Sequence, residues 1–270
     1  MYYIVDGEKI YIDEKKRPIG KGTEGICYRK GNQVYKMYYK SSIYEFGRNK
    51  SLNHQYLVGI PTKQIILPNA LIYHEDYSYA GYITDIVNGE KDVTKKQGIS
   101  LLPSDKFINN LKVLESDMKL LAFNYILVAD VQTVNFFFDR DKELMQIIDP
   151  GRYNVERFCH DEVEQEESII KTRCNRLNQI QLEDLITNLI YNDLVKYKPL
   201  NSKAKLQKLR DYIKKDKDSL SYSEYFEESL SNYENANTYF KSLRTSDALS
   251  IGLFCWKNPS GNFVMLFFAI

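Results

Sequence analysis

The sequence carries almost no net charge, since 37 Lys and Arg residues stand against 36 Asp and Glu residues in 270. Proteins that bind nucleic acid or a membrane surface by electrostatic attraction need an excess of Lys and Arg. No apolar run approaches the ~20 residues of a membrane span. The N-terminal MYYIVDGEKIYIDEKK lacks the basic and apolar regions of a signal peptide. We therefore expect a cytoplasmic protein that binds neither nucleic acid nor membrane.

Cysteine and histidine are scarce, with four and three residues, and neither forms a recognisable site pattern. The cysteines are Cys27, Cys159, Cys174 and Cys255. None stands in C-x-x-C spacing, which favours free thiols in a reducing compartment over a disulfide framework or a zinc site. No G-x-S-x-G motif is present, so the sequence does not predict the nucleophile elbow of a hydrolase.

Short segments rich in β-branched and aromatic residues dominate the first third of the chain, with turn residues between them. The predicted strands are YYIV, KIYI, GICYRK, QVYKMYYK, QIILP, LIYHE and SYAGYITDIV. One helix is predicted among them, over residues 41–56, with Ser41 or Ser42 as its N-cap.

From Asp105 onward, apolar residues recur mainly at helical spacing. DKFINNLKVLESDMKLLAFNYI predicts a long helix, and NFFFDRDKELMQIID predicts two short strands around a turn. Further helices are predicted over residues 181–195, 202–217 and 222–240. We therefore expect an α+β fold with a β-rich part, residues 1–88, and a helical part, residues 89–270.

The segment IGKGTEGICY places Gly20, Gly22 and Gly25 in G-x-G-x-x-G spacing. Glycines let the backbone approach a polyphosphate closely and offer N–H donors to it. A plain hairpin turn would produce the same pattern. The following CYRKGNQVYK continues as strand rather than helix, which disfavours a dinucleotide-binding fold and favours a glycine loop between two strands.

Lys36 lies in the middle of the next predicted strand, QVYKMYY. A lysine in such a strand either faces solvent or holds an anionic ligand. In the second case a carboxylate on the following helix would orient its ammonium group. Glu45 is the only acid in residues 41–56, so it is the candidate for that role.

Three further polar residues follow at characteristic spacing. ADVQTVN contains Asp130 and, five residues later, Asn135, and IIDPGR places Asp149 at the end of an apolar run. Taken in order with the glycine loop and Lys36, these motifs resemble those of the protein-kinase superfamily. The resemblance covers about the first 155 residues.

This resemblance implies a bilobal protein-kinase-like fold that binds Mg²⁺ and ATP between a β-rich N-lobe and a helical C-lobe. Asp149 and Asn135 would hold the metal, Lys36 the α- and β-phosphates, and Asp130 the attacking hydroxyl. The residues implied around the adenine are Thr84 as gatekeeper, Asp85 and Val87 in the hinge, Ile19, Cys27 and Val34 above the ring, and Phe137 below it.

The implied activity is transfer of the γ-phosphoryl group of ATP to a hydroxyl, on a protein Ser or Thr or on a small molecule. The sequence also departs from the family pattern. Val128 and Ala129 replace His and Arg before the aspartate, Gln132 replaces a Lys, and Pro150 replaces the Phe of D-F-G. A nucleotide-binding pseudokinase read by a partner protein, or a nucleotidyl transferase, therefore remains an alternative.

Overall fold

The computed structural model describes residues 1–45, 48–91, 103–139, 141–156, 167–189, 207–208, 211, 253–257 and 263–267. The strands in those ranges are β1 (Tyr2–Val5), β2 (Glu8–Tyr11), β3 (Gly20–Lys21), β4 (Gly25–Lys30), β5 (Gln33–Tyr38), β6 (Tyr44–Glu45), β7 (Arg48–Asn49), β8 (Ala70–Tyr73), β9 (Tyr79–Asp85), β10 (Glu90–Lys91), β11 (Ile126–Leu127), β12 (Phe136–Asp139), β13 (Leu144–Ile147), β14 (Asn154–Val155), β15 (Leu253–Lys257) and β16 (Phe263–Phe267). The helices are α1 (Lys50–Leu57), α2 (Ser104–Phe123) and α3 (Glu167–Leu189). The expected α+β class is confirmed.

Seven strands form one antiparallel sheet in the order β2-β1-β8-β9-β5-β4-β3. Because side chains alternate between the faces of a strand, its period-2 pattern gives the sheet two different faces. One face carries an apolar core made of Tyr3, Ile12, Tyr28, Tyr35, Met37, Ile72, Ala80 and Ile83. The other face carries Cys27, Lys36 and Tyr82, which lie side by side across β4, β5 and β9.

The helix predicted over residues 41–56 is only partly correct. The chain first makes a 3-10 turn at Lys40–Ser42 and the β6–β7 hairpin, and α1 begins at Lys50. The sequence explains the difference, because IYEF favours a strand and Gly47 would cost a helix about 1 kcal/mol. Glu45 therefore lies on β6 rather than on a helix.

The strand predicted at QIILP is wrong, since among these residues only Ile65 forms a single bridge, with Ile147. The N–H groups of Lys63, Gln64 and Ile65 instead donate to the carboxylate of Asp117 on α2, at 2.7–3.0 Å. A buried carboxylate has replaced a neighbouring strand as the acceptor for these backbone groups.

The long helix and the two strands predicted after residue 103 are confirmed as α2, β12 and β13. A helix predicted to start at residue 181 instead starts at Glu167, as α3. Its early turns bury Cys174, Asn178 and Gln179 rather than a continuous apolar stripe. The helically spaced apolar residues that normally predict a helix are therefore missing there. The helices predicted at 202–217 and 222–240 fall almost entirely outside the described residues.

The chain divides into two compact units, Met1–Leu230 and Ser231–Ile270. In the second unit, β15 and β16 pair as an antiparallel hairpin. Among the described helices, none has the length and apolar character to cross a membrane.

Candidate functional site

We call the sheet face that carries Cys27, Lys36 and Tyr82 the open face. A cleft of about 640 Å³ lies between this open face and the segment from Asp130 to Arg152. Every site residue predicted from the sequence, apart from Glu45, lines this cleft. These residues are Ile19, Gly20, Gly22, Gly25, Cys27, Val34, Lys36, Thr84, Asp85, Val87, Asp130, Asn135, Phe137 and Asp149. The cleft therefore gathers side chains from three separate stretches of sequence.

Lys36 and Asp149 form an ion pair inside the cleft. Lys36 is only 7% exposed. The Asp149 Oδ1 atom also accepts hydrogen bonds from the Tyr82 hydroxyl at 3.1 Å and the Gly151 N–H at 3.3 Å. Burial raises the pKa of Asp149, but the Lys36 charge and these hydrogen bonds outweigh it and hold the pKa below its usual range. Asp149 is therefore ionised at neutral pH.

Asp130 organises the loop that contains Asn135. Its carbonyl oxygen accepts from the Gln132 N–H at 2.9 Å and from the Asn135 side-chain amide at 3.1 Å. The Gln132 side chain also donates to Asp130 Oδ1 at 2.5 Å. Burial raises the pKa of Asp130, against the nearby Arg152 charge and with help from Asp149. Asp130 is thus a stronger proton acceptor than a free aspartate.

A buried amide on α3 supports the chain just before Asp130. The Asn178 side chain is fully buried; it accepts from the Val128 N–H at 2.8 Å and donates to the carbonyls of Met118 and Ile126 at 3.2 and 2.9 Å. One side chain thus joins α2, α3 and the segment leading to Asp130. Asn178 belongs to no recognisable motif, so the sequence alone does not predict this role.

Part of the cleft lining is apolar. Ile19, Cys27 and Val34 lie on the sheet side and Phe137 on the opposite side. At its edge, the Ile86 N–H donates to Asn32 O at 2.8 Å. Because backbone groups alternate sides along a strand, those of Asp85 point away from β5. These residues can enclose a flat apolar group with polar atoms on one edge.

The three glycines of the loop differ in what they require. A Cβ at Gly25 would lie 2.1 Å from the Met37 carbonyl oxygen, so β4 and β5 can approach only because this residue is glycine. A Cβ at Gly22 would meet nothing within 4 Å, and one at Gly20 would meet only the Cβ of Cys27 at 3.7 Å. Gly25 is therefore needed for sheet packing.

The oxygen donors in the cleft suit Mg²⁺ together with a phosphate ligand. The Ile148 N–H donates to Asn135 O at 2.9 Å, which keeps Asn135 next to Asp149. The Asn135 amide nitrogen is used in its bond to Asp130, so its oxygen can serve as a ligand. In the described part of the chain, no cluster of three His, Cys, Asp or Glu could hold a metal by itself. Two oxygen ligands fit Mg²⁺, which keeps several waters and phosphate oxygens.

Glu24 is a cleft residue that the sequence analysis did not select. It lies in the glycine loop, where its Oε1 accepts from Arg152 Nε at 2.9 Å and its Oε2 lies 3.1 Å from Lys50 Nζ. Burial raises the pKa of Glu24, but these two cations and Lys36 outweigh it and lower the pKa. The sequence signal for Glu24 is an acid within a loop that is expected to face phosphates, because such a carboxylate requires nearby cations.

Glu45 is the remaining predicted site residue. Its backbone lies in β6, and its side chain is outside the described part of the structure. Its predicted contact with Lys36 therefore stays a prediction. The described carboxylates within 4 Å of Lys36 Nζ are those of Asp149 and Glu24.

No protein-family model matches the chain, and a search of curated proteins finds no similar sequence.

Proposed function

We propose that the protein is an ATP-dependent phosphotransferase with a protein-kinase-like bilobal fold, which moves the γ-phosphoryl group to a hydroxyl. The observation that supports this is the joint placement of Lys36, Asp130, Asn135 and Asp149 in one cleft, although three separate motifs supply them. Such a cleft, which has both apolar and charged lining residues, suits a nucleotide. A protein Ser or Thr is the favoured acceptor, with a small molecule as the alternative.

Each polar residue has a task that its environment suits. Lys36 binds phosphate oxygens, since its buried ammonium already holds an anionic oxygen of Asp149. Asp149 and Asn135 hold Mg²⁺, which neutralises phosphate charge when bound. Asp130 accepts the proton that the acceptor hydroxyl loses as its oxygen bonds to phosphorus and the bond to ADP breaks. Because Gln132 engages Asp130 Oδ1, Oδ2 is the oxygen that receives the proton.

Intact-mass spectrometry after incubation with Mg·ATP, with and without a generic basic acceptor protein, tests this function. We expect a phosphoryl mass on the protein or the acceptor. Asp149→Ala should abolish it by removing the metal ligand. Asp130→Asn should lower the rate by about 10²-fold or more while leaving Mg·ADP affinity within about threefold.

Other outcomes would replace the proposal. An adenylyl mass would indicate nucleotidyl transfer in the same cleft. Nucleotide binding without any mass gain would favour a pseudokinase whose partner reads the bound state, for which the Gln132 contact to Asp130 is a specific structural argument. Equal turnover by Asp130→Asn and the unchanged protein would contradict the role of Asp130.

A further inference from the structure

Glu24 is held in a defined position between β3 and β4. Its carbonyl oxygen accepts from the Tyr39 N–H at 2.9 Å, and the Gly22 N–H donates across the turn to Gly25 O at 2.9 Å. The side chain points into the cleft and is 17% exposed. A carboxylate that is this buried requires cationic partners.

Three cations surround this carboxylate. Arg152 holds Oε1, while Lys50 and Lys36 lie 3.1 and 3.8 Å from Oε2. Both ammonium groups also lie over the ring of Tyr38, at 4.7 Å for Lys50 and 5.3 Å for Lys36. One oxygen and one aromatic ring are therefore shared by the two lysines. These contacts restrict the position of the Lys36 ammonium group.

The following helix offers no replacement for Glu24. The sequence of α1, KSLNHQYL, contains no acid, and the residue facing Glu24 at its start is Lys50. The helix thus carries a cation where the sequence analysis expected a carboxylate partner for Lys36.

We propose that Glu24 is the positioning residue for Lys36, a role that rests on the phosphotransferase function proposed above. A metal bound to Asp149 would compete with Lys36 for that carboxylate, and Glu24 is the other described carboxylate within 4 Å of Lys36 Nζ. Lys50 and Arg152 fix the two oxygens of Glu24. Arg152 follows Asp149 closely in the chain, so it also links the glycine loop to the segment that carries the metal ligand.

Calorimetric titration with Mg·ADP and with adenosine tests this assignment, because only Mg·ADP carries the phosphates that Lys36 would bind. We expect Glu24→Gln to raise the Kd of Mg·ADP about tenfold and to change that of adenosine by less than about twofold. Glu8→Gln, the same change at an exposed position of β2, should alter neither. If Glu24→Gln alone folds poorly, the double variant Glu24→Gln/Lys50→Met replaces it, because it also removes the buried Lys50 ammonium that pairs with Glu24. The double variant should show the same selective loss of Mg·ADP affinity.

Equal losses of Mg·ADP and adenosine affinity in Glu24→Gln would mean that Glu24 only supports the fold, and would overturn the proposal. So would unchanged Mg·ADP affinity, or a selective loss in Glu45→Gln instead. If the unaltered protein binds neither Mg·ADP nor adenosine, the phosphotransferase function itself fails. That result is distinct from a failure confined to Glu24, in which the unaltered protein binds Mg·ADP.

Discussion

Two acids of the cleft hold backbone conformations that most residues avoid. The φ angles are +61° at Asp130 and +66° at Asp149. A side chain in this left-handed region costs roughly 1–2 kcal/mol, although Asp tolerates it better than most residues. Each turn is held by its own hydrogen bonds, from Gln132 and Asn135 at Asp130 and from Gly151 at Asp149. Such strain is typical of functional positions.

Gly151 is the residue whose substitution should most directly disturb the Lys36–Asp149 pair. A Cβ there would lie 2.8 Å from the Tyr38 hydroxyl, 3.0 Å from Asp149 Oδ1 and 3.1 Å from Lys36 Nζ. We expect Gly151→Ala to lower the free energy of unfolding by about 1–3 kcal/mol, as overpacking does. Urea denaturation measures this. Gly22→Ala, where a Cβ meets nothing within 4 Å, is the control, and equal stability of the two variants would contradict the crowding argument.

At the scale of elements, strand register decides which residues enter the cleft. Cys27 pairs with Lys36 and Lys36 with Tyr82, so all three share a face. A slip of one residue in β5 would send Lys36 into the apolar core and bring Tyr35 into the cleft. The close approach that Gly25 allows between β4 and β5 helps to hold this register.

Asn178 provides a test of how α3 supports the loop of Asp130. Asn178→Leu would remove the acceptor of the Val128 N–H and two donated hydrogen bonds at a fully buried position. We expect a loss of about 2–4 kcal/mol in the free energy of unfolding. Asn109→Leu places the same change at an exposed position of α2. A similar cost for both variants in urea denaturation would mean that the buried amide does not support this loop.

At the scale of the whole molecule, α1 packs against β8 and β9, and its histidine joins an aromatic cluster with Tyr38 and Tyr79. Its His54 is fully buried, stacks on Tyr38 with ring centroids 5.8 Å apart, and places Nδ1 2.5 Å from the Tyr79 hydroxyl. Burial and the charges of Lys36 and Lys50 lower the pKa of His54 to about 3, with Asp149 opposing them. His54 is therefore neutral in the folded protein.

This neutral histidine should make folding sensitive to acid. Between the unfolded pKa near 6.5 and the folded pKa of about 3, only the unfolded chain binds the proton, so stability falls as the pH falls. The expected loss from His54 is about 2 kcal/mol on going from neutral pH to pH 5. Urea denaturation at several pH values measures it. His54→Phe should reduce this slope and His74→Gln should retain it; an unchanged slope in His54→Phe would contradict the assignment.

Much of the cleft could be predicted because its motifs are local. Glycine spacing and the D-x-x-x-x-N pattern are readable in the sequence, and the alternating pattern of β5 put Lys36 on one face. The partners of Glu24 and Asn178 could not be predicted in this way, since they are distant in sequence. Arg152 lies 128 residues from Glu24, and Val128 lies 50 residues from Asn178.

The class of fold, the long α2 helix and most of the strands follow from the order of side chains alone, because burial of alternating or helically spaced apolar groups depends on near neighbours. Tertiary structure decided which carboxylates lie beside Lys36. It also decided that Asp117, not a strand, accepts from the N–H groups of residues 63–65. Charged and polar partners are chosen by proximity after folding, and that proximity has no local signature in the chain.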